Sequence, residues 1–298
     1  MDVYYSDRFD LALPEKHRFP GQKYGMLRRK LIDDGIVDPS DLHTSPSIDR
    51  NDLLLAHSEA YVTDLETGTI DPSAMRRIGF PWSPSLAPRA KATCGGALAA
   101  ARSALSGGIS GQLAGGTHHA HRDFGSGYCM FNDFAVVSLT LLHNNEVSRI
   151  GIIDLDVHQG DGNASLLADN EHVFVLSVHG EKNFPFRKHP SDLDVGLPDE
   201  TGDNAYLEAV ESALEKVIDF KPDLILYQAG VDPLKEDRLG RLALTFNGLK
   251  TRDEMVLSLT KSVGIPVSMA IGGGYADPIE ASVDAYAQTY RVARQIYD

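Results

Sequence analysis

Short apolar runs alternate along this chain with stretches whose apolar positions recur at helical spacing. The runs at 3–5, 112–115, 173–178, 224–227 and 266–271, and one beginning at 150, predict strands, because each is brief and bounded by turn residues. Helical spacing covers 24–31, 89–105, 132–142, 204–217, 249–263 and 281–296, with two shorter patterns inside 47–68. Three stretches read as loops: 11–21, 72–88 and 184–203. The second carries Pro81, Pro84 and Pro88 around the one tryptophan, Trp82. Apolar strands alternating with helices predict an α/β fold, with a central, mostly parallel sheet flanked by helices on both faces. No repeat, low-complexity tract or composition shift marks a boundary, so a single domain over 1–298 is expected.

The polar residues cluster just after the strands, where open α/β sheets bind ligands. In the stretch 150–162, I-G-I-I-D-L-D-V-H-Q-G-D-G, an apolar run passes into Asp154, Asp156 and His158. If the strand continues, this spacing puts all three on one face, and Gly160 and Gly162 then break it into a tight turn. Two carboxylates and an imidazole at a buried strand end point to a metal site. Asp232, after the strand at 224–227, offers a third ligand with Asp156 and His158, which leaves a coordination position open for water and substrate. Asp154 and Asp161 are then free to orient histidines. His118 and His119, framed by Gly115 and Gly116, read as metal ligands, general bases or hydrogen-bonded core residues. The G-G-G-Y of 272–275 lacks the lysine of a phosphate loop and reads better as a flexible loop presenting the Tyr275 hydroxyl to a developing oxyanion.

Composition narrows the function classes. The chain has 298 residues, 42% of them hydrophobic, and a formal charge of −14. That acidity argues against a nucleic-acid binder, which needs a basic surface. Two cysteines, Cys94 and Cys129, cannot build a disulfide framework and point to a reducing compartment. No signal-peptide pattern or membrane-length apolar run is visible, so a cytoplasmic enzyme is expected, with no membrane partner.

Five motifs, in order, resemble the histone deacetylase family: G-G-T-H-H-A (115–120), G-Y-C-M-F-N-D (127–133), D-L-D-V-H-Q-G-D-G (154–162), A-G-V-D-P (229–233) and G-G-G-Y (272–275). The flavour is similar to short bacterial members near the class IV branch. The resemblance implies an arginase-like α/β fold and a zinc-dependent hydrolase that removes acetyl or longer acyl groups from lysine side chains or related amines. It implies one zinc per chain on Asp156, His158 and Asp232. His118 would pair with Asp154 and His119 with Asp161, with Tyr275 stabilising the transition state. Gly127 and Tyr128 would line the acyl-lysine tunnel, and potassium would bind near Asp154 and Ser177. His119 is the expected proton acceptor and His118 its electrostatic partner.

Departures from the better-known members are equally legible. Thr117 stands where nuclear members have a bulky residue, Gln159 where several carry a second histidine, and Tyr128 where phenylalanine is commoner. The stretch 78–84 contains no acid where those enzymes clamp the substrate backbone with an aspartate. Phe80, Trp82, Phe184 and Phe186 are candidate rim aromatics. The expected partner is an acylated lysine peptide, protein or small amine, and a homo-oligomer stays open. The competing readings are an acetylpolyamine-type amidohydrolase, an arginase-like binuclear manganese hydrolase and, more weakly, a non-catalytic acyl-group binding module.

Overall fold

The computed structural model of this chain describes residues 1–298 other than 10, 12, 15 and 16, so part of the expected 11–21 loop lies outside the described residues. The first half holds β1 (Val3–Tyr5), α1 (Lys23–Asp33), β2 (Leu42–Thr44), α2 (Arg50–Ala56), α3 (Glu59–Thr67), α4 (Pro72–Ile78), α5 (Leu86–Gly107), β3 (Ile109–Gln112) and α6 (Asp133–His143). The second half holds β4 (Ile150–Asp154), α7 (Asp161–Leu167), β5 (Val173–Gly180), β6 (Leu193–Leu197), α8 (Asp203–Asp219), β7 (Leu224–Gln228), α9 (Phe246–Val263), β8 (Val267–Ala270) and α10 (Glu280–Tyr297).

The strands form one eight-stranded sheet in the order β2-β1-β3-β8-β7-β4-β5-β6. Every neighbouring pair is parallel. Successive side chains point to opposite faces, and two apolar cores result. Ile150, Ile152, Leu224 and Leu226 join the side built with α2 to α6. Ile153, Ile225 and Tyr227 join the side built with α8, α9 and α10. Both faces are thus covered, as the apolar strands require.

The register aligns the carboxyl ends of the central strands. Asp154 lies opposite Ser177 on one side and Gln228 on the other, and Ala270 lies opposite both Gln228 and Gln112. Asp154 and Ser177 lie on this line, Asp161 opens α7, and the loops leaving the line carry the other candidate site residues.

Several expected elements are corrected. The strand expected at 112–115 is β3, three residues earlier; Gly115 and Gly116 take positive φ (83° and 70°) and so leave the sheet. Strand β4 ends at Asp154, so Asp156 and His158 lie beyond it in a bend. Gly160 caps α7 and Gly162 lies inside that helix, in place of the expected turn. The expected 72–88 loop contains α4: Asp71 accepts the Ser73 N–H, Pro72 sits in the first turn where its missing N–H costs nothing, and Gly79 (φ 93°) closes it. Within 184–203 lies β6, an edge strand with Asp194 outward. No helix among the described residues is long and apolar enough to cross a membrane.

Candidate metal and catalytic site

Beyond β4 the chain bends by folding its own N–H groups onto carboxylates. Asp156 N donates to Asp154 Oδ1 (3.2 Å), His158 N to Asp156 Oδ1 (3.0 Å) and Val157 N to Asp232 Oδ1 (2.8 Å). This bend, not strand alternation, brings Asp156, His158 and Asp232 together, with ligand atoms all within 4.8 Å of one another. His158 Nδ1 lies 3.0 Å from Asp156 Oδ1 and 3.1 Å from Asp232 Oδ2. From behind, the fully buried Arg252 donates to the carbonyls of Leu155 (3.4 Å) and Gly230 (2.5 Å), and its own charge is matched by Asp253 at 2.8 Å. It ties together the two segments that carry the three residues.

The donor set suits a divalent cation. Burial and the Asp156 charge push the Asp232 carboxyl up, against the pull of His158. Two carboxylates and an imidazole match zinc, among other divalent metals.

The tandem histidines follow β3 through a loop that glycine makes possible. A Cβ on Gly116 would lie 2.7 Å from Gly272 Cα, so the histidine loop and the 272–275 loop meet only through bare backbone. Buried Asp133, the first residue of α6, accepts from Gly116 N (2.8 Å), Thr117 N (2.9 Å) and Thr117 Oγ1 (2.9 Å). His118 Nδ1 then lies 2.8 Å from Asp154 Oδ2, and His119 Nδ1 lies 2.6 Å from Asp161 Oδ1. The two rings are 4.1 Å apart. Burial opposes charge on His118, but Asp154 and Asp156 outweigh it and raise its pKa to about 9. Burial lowers His119 to about 4, and the neighbouring His118 adds to the depression.

Tyr275 is buried, with its N–H on Asp237 Oδ2 (2.5 Å) and its carbonyl taking Arg238 Nε (3.1 Å). Burial holds the phenol well above its usual pKa, so it stays a donor. Beside it, the ammonium of buried Lys23 donates to Gly274 O and Tyr286 Oη, each at 3.1 Å.

A cavity of about 630 Å³ opens over these groups. Its lining includes His118, His119, Asp156, His158, Tyr275, Gly127 and Tyr128, and Asp232 lies buried behind. Tyr128 has positive φ (66°) and donates its N–H to Ile78 O at 2.7 Å. Of the four candidate rim aromatics, Phe184 and Phe186 line the cavity. Phe80 is instead packed against Phe19 and Tyr128. Trp82 also lies outside the lining, its indole N–H on Leu65 O at 3.0 Å. Ser177 sits beside Asp154 in the sheet register, its hydroxyl 3.0 Å from His179 Nδ1.

Residues not singled out from sequence complete the arrangement. The second oxygen of Asp161 meets His121 Nε2 at 3.1 Å, and His121 Nδ1 meets Ser165 Oγ at 2.6 Å. Asp133 was visible only as the last letter of G-Y-C-M-F-N-D, while Lys23, Asp237 and Arg252 carry no local signal.

Residues 17–290 match the family model described as "Histone deacetylase domain". An uncharacterized protein of Picosynechococcus sp. is 43% identical over 99% of this chain and 98% of its own length. Histone deacetylase 2 of Arabidopsis thaliana is 29% identical, over 92% of this chain and 74% of its own. The crystal structure of an HDAC homologue complexed with SAHA superposes with a TM-score of 0.85 at 27% identity, covering 99% of this chain and 84% of that one.

Proposed function

The chain belongs to the histone deacetylase family, and from that premise we propose that it is a zinc-dependent hydrolase removing acyl groups from the amide nitrogen of lysine side chains or related amines. One observation carries the reading: the Asp156, His158 and Asp232 donors converge beside a cavity that His118, His119 and Tyr275 also line, each of the two histidines backed by a carboxylate. One zinc per chain would be held by those three residues, and when bound it supplies Lewis acidity to the amide carbonyl and to the attacking water.

The chain's own groups supply the rest. With its Nδ1–H held by Asp161, His119 keeps the Nε2 lone pair free, and its low pKa leaves that lone pair unprotonated at neutral pH. It is therefore the group to take the proton of the attacking water and to hand one to the departing amine. His118, kept charged by Asp154, adds positive potential beside the reacting carbonyl. The Tyr275 hydroxyl donates to the oxygen of that carbonyl as it gains charge. Gly127 and Tyr128 form the wall along which the methylenes of an acyl-lysine would lie. A structural potassium ion beside Asp154 and Ser177, which are neighbours across β4 and β5, is part of the same proposal. So is a cytoplasmic location.

Against a binuclear manganese centre, the described residues gather one metal-competent group, Asp156, His158 and Asp232, and no second one. The decisive experiment is a deacylation panel of acyl-lysine peptides and acylated polyamines, with chelator and zinc-readdition controls. Zinc-restored hydrolysis of at least one acylated amine is expected. Tight acyl-peptide binding without turnover in zinc-loaded protein would instead favour the binding module.

A further inference from the structure

The mouth of the cavity is basic in a protein that is acidic overall. With 42 acidic and 28 basic residues in the chain, an average patch of surface offers more carboxylates than cations. The described lining reverses this: it contains Lys23, Arg76, Arg77 and Arg241, and its one carboxylate is Asp156 at the metal position. Lys23 is buried in the wall and engaged with Gly274 and Tyr286. The three arginines are exposed at the opening.

Arg76 and Arg77 form the last turn of α4, and that helix end is fixed in place. Ile78 O accepts the Tyr128 N–H at 2.7 Å, and Gly79 O meets His17 Nε2 at 2.9 Å. Arg77 lies over the Phe124 ring at 4.7 Å, and neither it nor Arg76 has an ion-pair partner among the described residues. Arg241, also in the lining, contacts Asp199 at 3.2 Å, a carboxylate it shares with Lys182 at 3.7 Å. That cluster keeps a net positive charge. Phe184, Tyr128 and Leu239 share the lining with these arginines and offer apolar surface suited to methylenes; Phe184 lies 4.9 Å from the His119 ring and Tyr128 6.1 Å from the Tyr275 ring.

An acylated amine inserted with its acyl group toward Tyr275 leaves its carrier at the arginines. We propose that this carrier is anionic: the preferred substrates bear carboxylate or phosphate groups where they emerge from the cavity, foremost acyl-lysines flanked by acidic residues. Arg76 and Arg77, with Arg241, select them. The inference rests on the deacylase reading for the direction of insertion. The charge of −14 does not cancel the effect, because at physiological salt charges beyond about 8 Å are largely screened while the rim arginines touch the carrier. Guanidinium forks match carboxylate and phosphate geometry. A polyamine tail or a lysine-rich peptide would meet like charge.

The test uses zinc-loaded protein, wild type and the Arg76→Glu/Arg77→Glu double variant. Acetyl-lysine peptides of equal length with acidic, neutral or basic flanks are compared by fluorescence anisotropy and by hydrolysis. A small-molecule arm compares 6-acetamidohexanoate with N-acetylcadaverine, and so separates a small carboxylate carrier from an acidic peptide. Wild type should favour acidic over basic flanks by about tenfold. That preference should shrink between about 50 mM and about 500 mM salt and invert in the double variant. Equal binding, a basic preference, no binding, or an acidic preference that survives charge reversal overturns the proposal. An acidic preference in binding without hydrolysis sinks the deacylase reading and leaves the charge selection standing.

Discussion

His119 Nδ1 and Asp161 Oδ1 are 2.6 Å apart, and the same carboxylate holds His121 through its other oxygen. The carboxylate therefore fixes the tautomer and orientation of the ring proposed to accept the water proton. Asp161→Asn should lower kcat by roughly 10- to 100-fold with little change in KM, a supporting-group effect. A parallel rise in KM with unchanged kcat would place Asp161 in substrate binding instead.

Tyr275→Phe should keep zinc and substrate affinity and lose turnover. Removing one oxyanion donor costs on the order of 3 kcal/mol, about a hundredfold or more in kcat. Metal analysis alongside steady-state rates separates this from a folding defect. Near wild-type turnover would remove Tyr275 from the mechanism.

Chelation should abolish hydrolysis, and readdition should restore it at one zinc per chain. Asp232→Asn should lower the metal content of purified protein, because one of three ligand positions loses its charge. Two manganese ions per chain with full activity would contradict the single-metal reading.

Gly273→Ala tests how closely the 272–275 loop crowds the ligands. A Cβ there would lie 2.8 Å from Asp156 Oδ2 and closer still to the Asp232 carboxylate, while Gly273 N already donates to Asp156 Oδ2 at 2.6 Å. The variant should fold, by circular dichroism, yet bind zinc at least about tenfold more weakly. Unchanged affinity would mean that the loop yields without moving the carboxylates.

Acid should remove the stability that His57 contributes. His57 accepts the Asn132 N–H at Nε2 and donates from Nδ1 to His121 O, both at 2.9 Å, which a neutral ring alone can do. Burial lowers its pKa from 6.5 to about 4. Between those values the unfolded chain binds the extra proton, so stability is full above about 6.5 and falls as pH drops toward 4, by at most about 3 kcal/mol from this residue. His119 and His179, also lowered to about 4 by burial, add to the slope. His118, raised to about 9, acts in the opposite window, above 6.5. Urea midpoints at several pH values should drop less steeply in His57→Gln than in wild type; equal slopes would contradict this.

The limits of sequence reading trace to particular residues. The Asp154–Asp156–His158 spacing implied one strand face, whereas the strand stops at Asp154 and hydrogen bonds in the bend gather Asp156 and His158 with Asp232. Proline hid α4, because Pro72 breaks a helix interior but opens a helix at its first turn. Strand β6 was hidden by its place at the sheet edge, where Asp194 and Gly196 interrupt the apolar run. Lys23, Asp237 and Arg252 were silent because their roles depend on partners distant in sequence. Tyr275, by contrast, stood out beside its glycines.

The last strand of the chain, β8, is laid in the middle of the sheet, between β3 and β7. Until residues 267–270 are in place, the N-terminal trio β2-β1-β3 and the quartet β7-β4-β5-β6 share no edge. Docking them depends on contacts of long sequence separation, the slow kind to form. The tandem histidines leave the trio and the metal-competent triad leaves the quartet, so the insertion of β8 unites the two halves of the chemistry. A partly synthesised chain would hold both sets of residues and be unable to use them together.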